Sequence, residues 1–249
     1  ILFDEVSTTF HNGNCYGIIG ANGSGKSTFL KILAGNHDAT SGHVHLETGK
    51  RMSVLEQDHH LYDEHSVLET VIIGNKPLYK IKSEIDALYA DYTDENAEKI
   101  GELQVKFEEM DGWNADSDAA ALLSNLGIKE VFHYTLMKDL DGKQKVRVLL
   151  AQALFGNPDV LIMDEPTNDL DIETLRALEE AILEYAGCVV VISHDRWFLD
   201  RIATHILAFE GDSHVEWFEG NYADYEEDRK RRLGDDAQPQ RIKYKKINA

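Results

Sequence analysis

Strand-like and helix-like hydrophobic patterns alternate along the chain. Stretches that are apolar almost throughout, at 14–20 (NCYGIIG), 159–165 (DVLIMDE) and 188–194 (CVVVISH), predict buried strands. Between them, the sequences at 26–35 and 172–187 predict helices. Uniformly apolar strands that alternate with helices are typical of a parallel sheet covered on both faces. The pattern therefore predicts the α/β fold class.

Other stretches alternate apolar and polar residues, as strands with one solvated face do. HVHLE (43–47) and RMSVLEQ (51–57) predict two such strands. HILAFE (205–210) and HVEWFEG (214–220) are separated by a short GDS turn and predict a hairpin. We expect this hairpin to form an antiparallel edge of the sheet.

The middle of the chain has helical periodicity instead. Apolar residues recur at helical spacing in two runs that a polar TDEN segment separates: Leu78, Ile81, Ile85, Leu88 and Tyr92, then Ile100, Leu103, Phe107 and Met110. This predicts a helical hairpin at about 75–112, inserted as an arm, with the apolar stripes forming its seam. A further helical region is predicted at about 115–156, within a domain that covers 1–225.

Charge divides the chain into an acidic body and a basic end. The net charge of −20 argues against a protein that wraps nucleic acid. Between Arg229 and Lys246, however, eight lysines and arginines face only Asp235 and Asp236. We therefore predict a basic C-terminal tail at 226–249, either a contact for a polyanion or a solvated end.

The composition indicates a cytoplasmic protein with no membrane contact. No apolar run approaches the ~20 residues that a membrane span needs, and the first residues do not resemble a secretory leader. Cys15 and Cys188 both lie in apolar runs, so we expect them to be buried and reduced.

The motif GANGSGKS, at 20–27, lies between a predicted strand and a predicted helix. It has the G-x4-G-K-S spacing of a P-loop in the context that such a loop requires. The glycines let backbone N–H groups converge on phosphate oxygens, Lys26 supplies a cation for the β- and γ-phosphates, and the Ser27 hydroxyl suits Mg²⁺. The residues predicted to bind the nucleotide here are Gly20, Ala21, Asn22, Gly23, Ser24, Gly25, Lys26, Ser27 and Thr28.

Two acidic residues follow the strand predicted at 159–165. Asp164 and Glu165 stand side by side at its carboxyl end, where ligands bind in open α/β sheets. Together with the P-loop, they predict Asp164 as a Mg²⁺ ligand and Glu165 as the group that accepts a proton from, or orients, the attacking water.

The order of the motifs GANGSGKS, Gln57, LDGKQ, VLIMDEPTNDLD and VISHD resembles that of the ATP-binding cassette ATPases, which are P-loop NTPases. The resemblance covers nearly the whole chain and implies ATP and Mg²⁺ as ligands. It implies that Gln57 lies near Mg²⁺ and the attacking water, that 168–171 form the D-loop, and that His194 is a switch histidine facing the γ-phosphate.

DEPTNDLD and SHDRWFLD look like the ABC-F branch of this family, which has two cassettes, lacks a membrane domain and acts at the ribosomal E site. The resemblance implies the ribosome, with its rRNA and tRNA, as a partner, and translation regulation as the role. Residues 175–247 look like a second cassette of the translational-throttle group, whereas 1–170 look like a first cassette of another subgroup. This suggests a chimera or single-cassette fragment with a seam near 167–174.

One motif departs from the family pattern. Where the family has a signature near Leu-Ser-Gly-Gly-Gln, this chain has Leu140, Asp141, Gly142, Lys143 and Gln144. A carboxylate aimed at a triphosphate would repel it. Alternatively, Asp141 and Gln144 form a capping box that starts a helix, and Lys143 offers a charge near the phosphate. We expect Asp141 to Gln144 to bind the nucleotide of an opposite cassette weakly, and hydrolysis to be slow.

Cassette sites are composite in this family, so the resemblance implies a second cassette as partner, either in a head-to-tail homodimer or from another chain. The leading hypothesis is an ABC-F ATPase with Glu165, His194 and Gln57 as catalytic residues and Ser27, Gln57 and Asp164 around Mg²⁺. The alternatives are the nucleotide-binding subunit of an ABC transporter and a nucleotide-binding module with little turnover.

Overall fold

A computed structural model describes most of the chain, with short gaps and without the last residues. The described residues are 3–4, 6–55, 58, 60–168, 170–211 and 213–234. Among them, no helix is both long and apolar enough to cross a bilayer.

The described residues contain one six-stranded sheet in the order β2-β3-β4-β1-β5-β6. Its strands are β1 (Cys15–Gly20), β2 (Met52–Val54), β3 (Val160–Asp164), β4 (Cys188–Ile192), β5 (His205–Gly211) and β6 (His214–Glu219). All neighbours are parallel except β5 and β6, which pair antiparallel at one edge. This confirms the predicted α/β class with a mostly parallel sheet and an antiparallel edge.

The register brings the carboxyl ends of three strands to one edge of the sheet. Ile192 lies opposite Ile18 of β1 and opposite Asp164 of β3. The segments that leave these strands, at 20–27, 165–168 and 193–195, therefore start side by side, as ligand sites of open α/β sheets do.

Helices cover both faces of this sheet. The described helices are α1 (Lys26–Leu33), α2 (Val67–Ile73), α3 (Lys76–Ala90), α4 (Ala97–Glu109), α5 (Ala115–Asn125), α6 (Gly142–Leu154), α7 (Ile172–Leu183), α8 (Arg196–Ile202) and α9 (Tyr222–Leu233). In β4, Val189 and Val191 pack into the core with α2, α5, α6, α7 and α8. Val190 and Ile192 pack on the opposite face with Phe29 of α1. Burial on both faces explains the uniformly apolar strands.

The predicted arm is present as a hairpin of α3 and α4. The Asn75 side chain accepts the Leu78 N–H at the start of α3. Ile85 of α3 and Leu103 and Phe107 of α4 are buried in the core, on the predicted apolar stripes. Burial of these faces holds the two helices against each other and against the body.

The prediction of a strand at 43–47 is wrong. Residues 43–47 form no strand in the described chain, and Val44 and Leu46 are 45% and 38% exposed. Alternation fits a strand only where a neighbouring strand supplies hydrogen bonds, and here no described strand lies alongside. Among the described residues 51–55, β2 covers Met52–Val54, and the Leu55 N–H donates to the Ile162 carbonyl at 2.9 Å.

The packed part of the chain extends past residue 225, where the cassette domain was predicted to end. Helix α9 runs through that position, and Tyr225 is buried with its hydroxyl 2.7 Å from a Glu210 oxygen. Arg232, in the last turn, forms ion pairs with Glu210 and Asp228. The remainder of the predicted basic tail, 235–249, lies outside the described residues.

Candidate functional site

The loop between β1 and α1 is built on glycines that no other residue would replace easily. Gly20, Gly23 and Gly25 have φ angles of 149°, 81° and 103°, which L-residues rarely adopt. A Cβ on Gly20 would lie 2.7 Å from both the Cβ and the carbonyl oxygen of Phe209, and 2.9 Å from Ser24 Oγ. The β1 strand can therefore turn into the loop only at a glycine.

The loop and the start of α1 present donors for an anion. Gly25 caps α1 without a side-chain hydrogen bond, so no described side chain caps the first N–H groups of the helix. Ser24 Oγ is buried and has no hydrogen-bond partner among the described residues. Lys26 is 7% exposed, and its ammonium donates to the carbonyls of Gly20 and Ala21 at 3.0 and 3.1 Å. These features fit a phosphate group at the helix N-terminus.

The end of β3 presents Glu165 to the same region. Its φ of +50° is left-handed, an unusual conformation for glutamate that active sites often hold. The Glu165 N–H donates to the Ile192 carbonyl at 2.9 Å. One oxygen of its carboxylate accepts the His194 N–H at 3.3 Å, and the other lies 3.2 Å from His194 Nε2. The backbone thus holds the acid and the imidazole together.

Two hydroxyls tie the segments that carry these residues. Thr167 Oγ1 and Ser193 Oγ are 2.9 Å apart, and Ser193 Oγ accepts the Asp195 N–H at 3.0 Å. Ser193 is 2% exposed. The hydroxyl pair therefore joins the residue that precedes the predicted D-loop to the segment that presents His194.

These groups surround one cleft of about 470 Å³. The residues that line it come from the glycine loop, the end of β3 and the end of β4: Asn22, Gly23, Gly25, Lys26, Ser27, Thr28, Glu165, Asn168 and His194. The tertiary structure thus brings eight of the predicted site residues together in this lining, from the glycine loop, the end of β3 and the end of β4. Ser27 and Asp164 offer hydroxyl and carboxylate oxygens, which Mg²⁺ prefers, at and beside the cleft.

Some predicted residues lie elsewhere. Gln57 lies outside the described residues, so its predicted role stays a prediction. The lining of the cleft includes none of the residues 141–144. Asn168 lines the cleft but was predicted only as part of the D-loop. Its place three residues after Glu165 was the available signal.

The predicted capping box at Asp141 is present. Its carboxylate accepts the Gln144 N–H at 2.9 Å, and the Gln144 side-chain oxygen accepts the Asp141 N–H at 3.1 Å. The Asp141 carboxylate is thus turned onto its own helix. The resulting cap satisfies the Gln144 N–H of α6, which would otherwise be available to an anion.

Helix α6 is also tied to the N-terminus of α7. Arg147 of α6 donates to Thr174 Oγ1 at 2.6 Å and forms an ion pair with Asp171 at 3.0 Å. Asp171 caps α7 by accepting the Thr174 N–H at 2.9 Å. This backbone hydrogen bond, followed by those from the Thr174 hydroxyl and Arg147, lowers the pKa of Asp171 to about 2.

Comparison with known protein families identifies the family to which the chain belongs. The profile of the family described as "ABC transporter" matches residues 3–168, which include the glycine loop, the capping box and the acidic pair. The chain belongs to the ABC transporter family. It is therefore an ATP-binding cassette, and its α/β architecture is the cassette fold.

Several relatives match almost the whole cassette. The uncharacterized ABC transporter ATP-binding protein YkpA of Bacillus subtilis is 49% identical over 89% of this chain and 41% of its own length. The probable ATP-binding protein YbiT of Escherichia coli O157:H7 is 45% identical over 95% of this chain and 46% of its own length. The energy-dependent translational throttle protein EttA of Escherichia coli (strain K12) is 38% identical over 99% of this chain and 39% of its own length.

The cassette spans less than half of the length of these relatives. Each relative also matches 89% or more of this chain, so one relative accounts for residues on both sides of the seam suspected at 167–174. Homology to EttA, an ABC-F protein, agrees with the predicted resemblance.

Solved structures agree on the fold. A nucleotide-free ATP-binding cassette from an ABC transporter has a TM-score of 0.67 at 22% identity, over 96% of this chain and 93% of that structure. The post-hydrolysis dimer of the cassette MJ0796 with ADP and Pi has a TM-score of 0.61 at 22% identity, over 88% of this chain and 91% of that structure. At these identities the likeness supports the fold alone.

Proposed function

We propose that the cassette hydrolyses ATP and, as an ABC-F protein, couples closure of two cassettes to ribosome binding and translation regulation. The contact of Glu165 with His194, on the cleft that the glycine loop lines, carries the catalytic part of the proposal. Homology to EttA, whose name describes an energy-dependent translational throttle, supports the ribosomal part.

In the proposed reaction, a water oxygen attacks the γ-phosphorus, the bond from that phosphorus to the ADP oxygen breaks, and Glu165 accepts the proton of the water. Lys26 and the loop N–H groups hold the phosphates. His194 keeps the carboxylate in place through its backbone N–H and its ring, and senses the γ-phosphate. When bound, Mg²⁺ neutralises phosphate charge, and Ser27, Asp164 and Gln57 would hold it.

A second cassette completes the site in this proposal. Residues 141–144 are absent from the lining of the cleft, and 141–143 are exposed, so the cassette's own cleft does not use them. Cassettes of this fold occur as dimers, as the MJ0796 structure shows for that protein. We propose a head-to-tail pair, either of this cassette or with another one.

The capping box favours a second candidate function, a cassette that binds nucleotide with little turnover. The Asp141 carboxylate occupies an N–H group of α6 and adds a negative charge near a partner's triphosphate. Nucleotide binding without hydrolysis, even at high cassette concentration, would favour this candidate.

Loss of the Lys26 ammonium tests nucleotide binding. We expect Lys26→Ala to weaken binding of a fluorescent ATP analogue by at least about tenfold, because a charge-assisted contact is lost. Lys31→Ala, at an exposed position near the end of the same helix, is the matched control and should bind like the unaltered chain. Equal affinity in both variants would remove the phosphate site from the proposal.

Trapping tests the ribosomal part. Glu165→Gln should still bind ATP but hydrolyse it slowly, so it should accumulate in the closed form. We expect it to co-sediment with ribosomes in ATP more than the unaltered cassette does, and neither to do so in ADP. Co-sedimentation that is equal in ATP and ADP, or no co-sedimentation in either nucleotide, would contradict the ABC-F role. Neither result would contradict the proposed ATP hydrolysis.

A further inference from the structure

Lys145 is a buried cation that the proposed reaction does not use. It is the fourth residue of α6, directly after the signature at 140–144, and it is 6% exposed. Its ammonium contacts the Asp63 carboxylate and lies 3.4 Å from His60 Nδ1, which is 2.9 Å from the other Asp63 oxygen. Hydrogen bonding to Lys145, and then to His60, lowers the pKa of Asp63. We name Lys145, Asp63 and His60 the lysine anchor.

Backbone hydrogen bonds join the two segments beside the lysine anchor. Residues 63–68 lie antiparallel to residues 133–138, and the second segment leads directly into the signature. The hydrogen bonds run from Lys138 N to Asp63 O at 3.2 Å, Met137 N to His65 O at 2.9 Å, Val67 N to Thr135 O at 3.0 Å, and Leu68 N to His133 O at 2.9 Å. The anchor extends this ladder to the first turns of α6.

The Lys145 side chain is buried and that of Asp63 is partly buried, at 7% and 28% exposed. Such an ion pair is a poor means of stabilising a fold, because removing a charge from water costs free energy that the attraction of the pair barely returns. Apolar side chains of similar volume often serve as well. What the pair adds is a defined geometry, because charge-assisted hydrogen bonds are short and directional. The lysine anchor fixes the position of the signature helix α6 relative to the segment that begins at His60.

We propose that Lys145 and Asp63 are positioning residues, which set the signature for the nucleotide of a second cassette. Their part is to hold 140–144 in the orientation that closure requires, without contact with the nucleotide bound by their own P-loop. This inference rests on the proposed function, since it assumes that the signature faces a partner's triphosphate.

The test replaces the charges by apolar side chains of similar size, in Asp63→Leu with Lys145→Met. We expect the double variant to keep or raise the free energy of unfolding, and to bind a fluorescent ATP analogue within about twofold of the unaltered affinity. Its kcat for ATP hydrolysis should fall by at least about fivefold. In a Glu165→Gln background, the ATP-dependent association of two cassettes should fall by at least the same factor.

Lys138→Met is the matched control. Lys138 forms an ion pair with Glu64 on the same ladder, but the two side chains are 45% and 80% exposed. This ion pair therefore contributes little to stability. We expect the control to match the unaltered cassette in kcat, association and nucleotide affinity. A control that loses association as the double variant does would overturn the specific role of the anchor.

Two further results would overturn the proposal: unchanged association in the folded double variant, or a loss of nucleotide affinity that matches the loss of kcat. If the double variant does not fold, Asp63→Asn, which keeps a hydrogen-bond acceptor, is measured in the same way. An unaltered cassette that hydrolyses no ATP would count against the proposed function. The ATP-dependent association of two cassettes would still test the role of the lysine anchor.

Discussion

Asp141 stands where the family signature has a serine, and its two effects oppose each other. The capping box stabilises α6, since such a cap contributes about 0.5–2 kcal/mol. Its negative charge disfavours a partner's triphosphate at the same helix end. In our proposal, Asp141 therefore lowers the affinity for a partner's nucleotide and raises the stability of the signature helix.

Substitutions of Asp141 separate these effects. Asp141→Asn and Asp141→Ser both keep a capping oxygen and remove the charge, so we expect both to raise steady-state ATP hydrolysis at unchanged stability. Asp141→Ala should lower the free energy of unfolding by about 0.5–2 kcal/mol. Hydrolysis rates of Asn and Ser variants at or below the unaltered rate would contradict repulsion by the carboxylate.

Asp171 makes a prediction about acid stability. Its pKa of about 2 lies below the usual value of about 3.9, so the carboxylate stabilises the folded state above pH 4. That contribution is lost as the pH falls from about 4 through 2. Asp171→Asn keeps the cap but not the ion pair with Arg147, and urea unfolding should show a shallower loss of stability over this range. Equal slopes for the two proteins would count against the assignment.

At the scale of the element, the arm is held by its buried stripe. Phe107 is 5% exposed and packs edge-on against Trp113, with ring centroids 5.0 Å apart. A Cβ on Gly112 would lie 2.4 Å from the Phe107 ring, so the chain turns closely around this side chain. The Phe107 side chain thus holds the C-terminal end of α4 in place.

Removing the Phe107 ring should open the arm and spare the sheet. We expect Phe107→Ala to lower the free energy of arm opening by about 3–5 kcal/mol, the usual cost of that truncation in a core. Hydrogen exchange should then show lost protection in α3 and α4 only. Val105→Ala on the same helix, 57% exposed, should change little. Protection lost equally in β1 and β4 would show that the arm is not an independent unit.

At the scale of the whole molecule, the cleft and the signature belong, in our proposal, to two different composite sites. In our proposal a cassette uses its own glycine loop and a partner's α6. ATP hydrolysis per cassette should therefore rise with cassette concentration before it saturates.

Mixing experiments check the same prediction. Excess Lys26→Ala chains, which offer an intact signature but bind little nucleotide, should raise the turnover of a small amount of unaltered cassette. Excess chains that carry Lys26→Ala together with Lys145→Met and Asp63→Leu should do so less. Turnover that is independent of concentration and of the added chains would mean that each cassette works alone.

Local features of the molecule were predictable because their causes are local. The glycine loop, the capping box between Asp141 and Gln144, and the buried runs of β3 and β4 each depend on residues a few positions apart. The arm was predictable for the same reason, since its stripes follow the helical repeat. At 43–47 the local pattern misled, because a strand also needs a neighbour that local sequence does not specify.

The sequence by itself thus determined the buried strands, the arm, the phosphate loop and the acidic pair. Only the tertiary structure decided that β1 lies between β4 and β5, that Glu165 contacts His194, and that Lys145 meets Asp63 across 82 positions. The physical reason is that such contacts depend on how the whole sheet and its helices pack, and many pairings of the same elements satisfy the same local patterns.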